Sequence, residues 1–141
     1  IQDYQIDYYK NKFLKYINPG FIKCVTDDND ELVAFAITMP SFSNALKKIN
    51  GKVDFFGKLR LLHAKNFNHK GSLYLIGVRP DFQNKGVIAI LFNELQKFYN
   101  KFGITEVETN PELIENAAIQ QLWKNYENNQ HKNRATFTKQ I

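Results

Sequence analysis

The sequence is short of the residues that several functions require. It has one cysteine, Cys24, so no intrachain disulfide can form and nothing points to an oxidising compartment. One Cys and three His are too few for the usual structural zinc ligand sets, and no metal is expected. No apolar run approaches the roughly 18 residues that a membrane-spanning helix needs. Methionine occurs once, at Met39, and the chain opens on Ile1, so it is expected to be part of a longer protein. The start carries no positively charged segment followed by an apolar one, so no signal peptide is expected and the cytoplasm is the expected location. What is present is a chain of 141 residues, 43% hydrophobic and 14% aromatic. That composition excludes a disordered segment and fits one domain over residues 1–141.

The net charge of +5 is unevenly placed. Residues 41–72 hold Lys47, Lys48, Lys52, Lys58, Arg60, Lys65 and Lys70 against Asp54 alone, a net +6, whereas the remainder has twelve basic and thirteen acidic residues. This segment reads either as a solvated lysine surface or as a lip facing a nucleotide, an acidic substrate or a membrane surface.

Apolar positions three and four apart predict a helix from Asp3 to Ile17, which Asn18-Pro19-Gly20 stops. Phe21–Thr26 and Glu31–Met39 read as strands around the acidic turn Asp27–Asp30, an antiparallel hairpin. Cys24 within it reads as a buried structural thiol. Short helices are expected over Ser41–Ile49 and Phe55–His63, the second with Phe55, Phe56, Leu59 and Leu62 along one side. The irregular, basic region 41–70 suits a substrate-side lid or loop. Ser72–Val78 is a central strand, and Gly77 within it suggests a bulge or the close approach of another backbone or a ligand. Val87–Phe102 is the clearest helix, with Ile88, Leu91, Leu95 and Phe98 on one face and Gly103 as its stop. A short strand Thr105–Thr109, a helix Asn116–Glu127 and a last strand Arg134–Lys139 complete the order. Strands alternating with helices predict an α/β (α+β) fold: a mixed, mostly antiparallel sheet with helices on both faces.

The informative stretch is Leu73–Leu91, LYLIGVRPDFQNKGVIAIL. A strand ends at a proline-broken turn, a loop follows, and a long helix starts at once. Backbone N–H groups of such a loop, at the positive end of the helix dipole, form an anion cradle. Gly86 would let a phosphate approach the backbone, and Lys85 would add charge. An ordinary strand-to-helix turn would have the same outline. The spacings of a Walker loop and of GxGxxG are both absent.

These residues resemble the GNAT superfamily of acyl-coenzyme A-dependent N-acyltransferases, whose strand ends in V-x-P and leads through [QR]-x-x-G-x-[GA] into a helix. Here the residues are Val78-Arg79-Pro80, then Gln83-Asn84-Lys85-Gly86-Val87-Ile88. Ile88 departs from the family's small residue. Further on, Asn116-Ala117-Ala118 leads to Leu122-Trp123, where the family commonly has Leu-Tyr. The resemblance covers about residues 21 to 139, and is nearest to a bacterial branch in which this domain is the C-terminal part of a longer chain.

The resemblance implies acetyl-CoA, or another acyl-CoA, as co-substrate and a splayed pair of central strands. Pantetheine would lie along Ile76, Gly77 and Val78. The amides of Gln83, Asn84, Lys85, Gly86, Val87 and Ile88 would hold the pyrophosphate, and Asn116 would face the pantetheine. An acceptor amine would attack the thioester directly, with the carbonyl polarised by an amide such as that of Val78. Glu108 is the candidate general base through water. Tyr126 is the candidate proton donor to the thiolate, since Trp123 cannot fill that role. The acceptor would be a small-molecule or peptide amine, and no nucleic acid is expected. Two other readings stand beside this one: a non-catalytic GNAT-like domain binding CoA or a partner, and a basic membrane-surface or interaction module using the helix at 55–65.

Overall fold

The computed structural model describes residues 2–12, 18–51 and 53–139. They fall into two compact units, residues 1–108 and 109–141.

The first unit begins with α1 (Asp3–Lys12). The rest of the helix expected up to Ile17 lies outside the described residues. The Asn18 side chain accepts from Gly20 N at 2.9 Å and opens a single 3-10 turn over Pro19–Phe21. β1 (Ile22–Thr26) and β2 (Leu32–Pro40) then form the expected hairpin. Asp27 builds its turn by accepting from the amides of Asn29 and Glu31 at 2.9 and 3.1 Å. β3 (Lys70–Val78) pairs antiparallel with the other edge of β2, and β4 (Glu106–Thr109) follows β3 in the sheet order β1-β2-β3-β4. β3 and β4 start side by side, where the His69 carbonyl accepts from the amides of Thr105 and Glu106. The crossover between them is α4 (Val87–Phe102), and the two strands run parallel. The sheet is therefore mixed and mostly antiparallel.

The core lies between β2 and α4. Ala34, Ala36 and Thr38 alternate along β2 and are all buried, and Leu91 and Leu95 of α4 are each only 1% exposed. Small strand residues leave room for the two leucines, each of which contributes roughly 1.5–3 kcal/mol by burial. Val87, at the first turn of α4, packs with Val33 and Ala34, and Val25, Val78 and Phe82 surround that cluster. The rings of Phe21, Phe98 and Phe102 close the far end of α4. Cys24 is exposed on β1, not buried as expected, because it alternates with the half-buried Lys23 and Val25 on an edge strand.

The segment between β2 and β3 holds α2 (Ser43–Ile49) and α3 (Phe55–Asn66), the latter one turn longer than predicted. α2 ends in left-handed Asn50 and Gly51, and Asp54 caps α3 by accepting from Gly57 N at 2.7 Å. The ends of the segment are joined: Ser41 N donates to the Lys70 carbonyl, and Asn68 Nδ2 to the Ser41 carbonyl.

In the second unit, Asn116 caps α5 (Ala117–Trp123), and the Trp123 indole donates to the Glu112 carboxylate at 2.9–3.0 Å. The helix is shorter than the predicted 116–127. Asn128 donates to the carbonyls of Trp123 and Tyr126, and these bonds replace a further helical turn. The strand expected at 134–139 does not form: residues 127–139 have no regular structure and are exposed, with Phe137 90% accessible. Alternation gives a strand only where a partner supplies its ladder and an apolar surface covers one face.

Candidate functional site

The site predicted from sequence lies where β3 runs into α4. β3 does carry a bulge, but not at Gly77. Ile37 opposes Leu75 and Thr38 opposes Leu73, so Tyr74 is the extra residue. Gly77 opposes Phe35, and a Cβ there would lie 2.6 Å from the Phe35 ring. What approaches Gly77 closely on this face is therefore a side chain of the neighbouring strand. A shallow cleft of about 250 Å³ opens beside it, lined by Leu32, Val33, Phe35, Gly77, Val78 and Arg79.

The backbone of β3 has a second edge. The Arg79 amide donates to the Val33 carbonyl at 2.8 Å. Amides alternate along an antiparallel strand, so those of Ile76 and Val78 point the other way, toward the β4 side. β4 is four residues long and begins level with the start of β3, so residues 75–78 run on past its end.

Arg79 then ties the turn to the rest of the sheet. Its guanidinium donates to Asp81 at 2.8 Å, to Glu31 at 3.1 Å and to Asp27 at 3.4 Å, and stacks over the Phe82 ring at 4.5 Å. The amides of Asn29 and Glu31, with Arg79 adding to them, hold the Asp27 carboxyl below its usual range. The hydrogen bond from Arg79 does the same for Asp81. Sequence reasoning gave Arg79 no role beyond ending the strand. The signal available was an arginine at a strand end in a chain with an acidic hairpin turn.

Beyond Arg79 the chain makes one 3-10 turn, Pro80–Phe82, and then the exposed residues Gln83, Asn84, Lys85 and Gly86. The amides of Gln83 and Lys85 bond back to Pro80 and Phe82, and those of Ala89 and Ile90 to Gly86. The amides of Asn84, Gly86, Val87 and Ile88 donate to no acceptor among the described residues. Two left-handed residues create this arrangement, Asn84 (φ 61°) and Gly86 (φ 78°). No atom lies within 4 Å of a Cβ built at Gly86, so the backbone angle and not crowding calls for glycine. Four free N–H groups at the start of a 16-residue helix form a site of positive potential for an anion. The Lys85 ammonium lies 5.1 Å from the Phe82 ring centre.

Glu108 is half-buried on β4, at the end of the first unit. Asn116 and Tyr126 belong to the second. The Asn116 carbonyl oxygen accepts from Ile119 N at 3.4 Å, and the exposed Tyr126 ring stands 6.3 Å from that of Trp123. Among the described residues no cluster of His, Cys, Asp or Glu could hold a metal ion, and no helix is long and apolar enough to cross a membrane.

No match to a curated protein was found. Solved structures of similar fold include the aminoglycoside 6'-N-acetyltransferase AAC(6')-IG from Acinetobacter haemolyticus, with TM-score 0.58 and 15% identity over 100% of this chain and 83% of that one. AAC(6')-Iy in complex with the bisubstrate analogue CoA-S-monomethyl-acetylneamine gives 0.51 and 16% over 85% and 69%. A ribosomal-protein-alanine N-acetyltransferase from Brucella melitensis biovar Abortus 2308 gives 0.51 and 15% over 82% and 70%. Identities this low show a shared fold alone. The sequence model of the acetyltransferase (GNAT) family, in contrast, matches residues 2–125, which is most of the chain. With that match added to the strand, turn and helix described above, this chain belongs to the GNAT acetyltransferase family.

Proposed function

We propose that the protein transfers an acetyl or other acyl group from coenzyme A to a primary amine in one direct step. The observation that carries this reading is the set of four unpaired amides of Asn84, Gly86, Val87 and Ile88 at the start of α4. They suit the pyrophosphate of CoA, with Gln83 and Lys85 at its margin. The edge of residues 76–78 beyond β4 suits the pantetheine, and the Val78 amide suits the thioester oxygen. The amine nitrogen attacks the thioester carbon, the C–S bond breaks, the sulfur leaves as thiolate, and the nitrogen loses a proton. Glu108 takes that proton through water.

Titration calorimetry with acetyl-CoA tests the cradle. The wild type should bind. Gly86→Glu should abolish binding, because it sets a carboxylate among the four amides, while the fold survives in open space. Gly86→Ala, which adds only a left-handed strain of about 1–2 kcal/mol, should retain measurable binding. Unchanged affinity in the glutamate variant would remove the assignment. Turnover is read as thiol release across amines that include an aminoglycoside and an N-terminal alanine peptide. Glu108→Gln should lower kcat roughly 100-fold with little change in KM for acetyl-CoA.

A second reading, CoA binding without transfer, is favoured by Trp123. Its indole N–H is held by Glu112 and is far too weak an acid to protonate a thiolate. Binding without thiol release from any amine would select it.

A further inference from the structure

We propose that the outer face of α3 is a docking surface for an anionic lipid bilayer. The helix is packed with its apolar side outward. Gly57 is buried and Leu61 and Ala64 are partly buried, so the side turned to the protein is made of small or single apolar residues. Phe55, Phe56, Leu59 and Leu62 face solvent, with Phe55 and Phe56 70% and 69% exposed. Val53 and Phe67, at the two ends of the helix, are exposed as well. A helix that only covered a core would show the reverse order.

Charge is arranged around this apolar stripe. At about 100° per residue, Lys58 and Lys65 lie along one margin of the stripe and Arg60 along the other. Lys47 and Lys48 of α2 are exposed beside it, joined to α3 where Arg60 Nη1 donates to the Lys48 carbonyl at 3.4 Å. Among the described residues, none of Lys47, Lys48, Lys58, Arg60 and Lys65 has an acidic partner; of the basic residues in the segment only Lys70 does, with Glu106. Rings flanked on both sides by cations without an acidic partner match the boundary of headgroups and acyl chains in an anionic bilayer. There the rings enter the interface and the long lysine stems keep their ammonium groups at the phosphates. The charge decides against a second copy of this chain as occupant, because the face would meet its own cations. The rings project from the convex side of a helix, and a fluid headgroup layer accepts them without a matching groove. The inference is independent of acyl transfer, and uses none of the residues assigned to it.

The test is co-sedimentation of the chain with vesicles of equimolar phosphatidylcholine and phosphatidylglycerol, and with phosphatidylcholine alone. Binding to the anionic vesicles only, weakening as salt rises, is expected. The pair Lys58→Gln and Lys65→Gln should cost roughly 25-fold in affinity, at about five-fold per basic residue. The pair Phe55→Ser and Leu59→Ser should cost roughly 10-fold or more. Phe55→Trp should show a blue-shifted emission on adding anionic vesicles that the wild type, with Trp123 alone, does not. Circular dichroism confirms that each variant is folded. Failure of the folded wild type to bind anionic vesicles would overturn the proposal. So would undiminished binding by the serine pair, or tighter binding to soluble polyglutamate than to vesicles, which would assign the face to an acidic polymer.

Discussion

At the start of α4 the groups left without a partner are backbone amides, whereas on α3 they are aromatic rings and lysines. The amides at 84–88 are fixed from behind: two left-handed residues aim them, Val87 anchors the first helical turn in the core, and Arg79 ties the preceding turn to the hairpin at Asp27 and Glu31. The rings of α3 rest on a helix whose buried side is only Gly57 with parts of Leu61 and Ala64. The first surface is a set of N–H groups held in place by the backbone. The second offers bulk and mobile charge, which suit a deformable partner. The difference teaches that an unsatisfied surface indicates its ligand by chemistry and by stiffness together.

Three experiments sharpen the contrast. The largest effect is expected at Gly77→Val, which drives a methyl group into the Phe35 ring beneath the turn. It should destabilise the chain by about 1–3 kcal/mol in urea unfolding, and Phe35→Ala in the same chain should recover part of that loss. A double variant no better than the sum of the two single changes would break the link between that packing and the turn.

A smaller effect is expected at Arg79→Met, and it depends on pH. Asp27 and Asp81 have folded-state pKa values below the ordinary carboxylate value, so their contribution is present above that value and is lost as pH falls through the folded ones. The wild type should therefore melt above the variant near neutral pH, and the gap should close in acid, as pH falls through the folded-state values of the two carboxyls. A gap of the same size at both pH values would show that Arg79 acts by stacking on Phe82 alone.

The smallest effect on stability is expected for Phe55→Ser with Leu59→Ser. Each should shift unfolding by no more than about 0.5 kcal/mol, the range for surface positions. A loss of several kcal/mol would mean that the rings cover a core, and would erase the comparison with the turn at α4.

The parts of the molecule legible in the sequence are those set by neighbours along the chain. The hairpin at Asp27–Asp30, the inner face of α4, the left-handed glycines Gly86 and Gly103 at its two ends, and the strand-turn-helix order at 73–91 all follow from local periodicity and local backbone preference. The less legible parts depend on distant partners. Arg79 bridges to residues 48 and 52 positions away. The extra residue of β3 is Tyr74 and not Gly77, because the register is chosen across the ladder with β2. Residues 134–139 have the alternation of a strand but no partner among the described residues.

By itself the sequence determined which residues share a face and where a backbone must turn left-handed, since both depend on spacing and on the side chain at one position. The tertiary structure alone decided which way each face points. On α4 the apolar face turns to Ala34 and Ala36, where small strand residues leave room for Leu91 and Leu95. On α3 the face that carries Phe55, Phe56, Leu59 and Leu62 turns outward, because the small side of that helix is the one that packs against the protein. Periodicity is a property of one helix, and orientation is settled only by what it packs against.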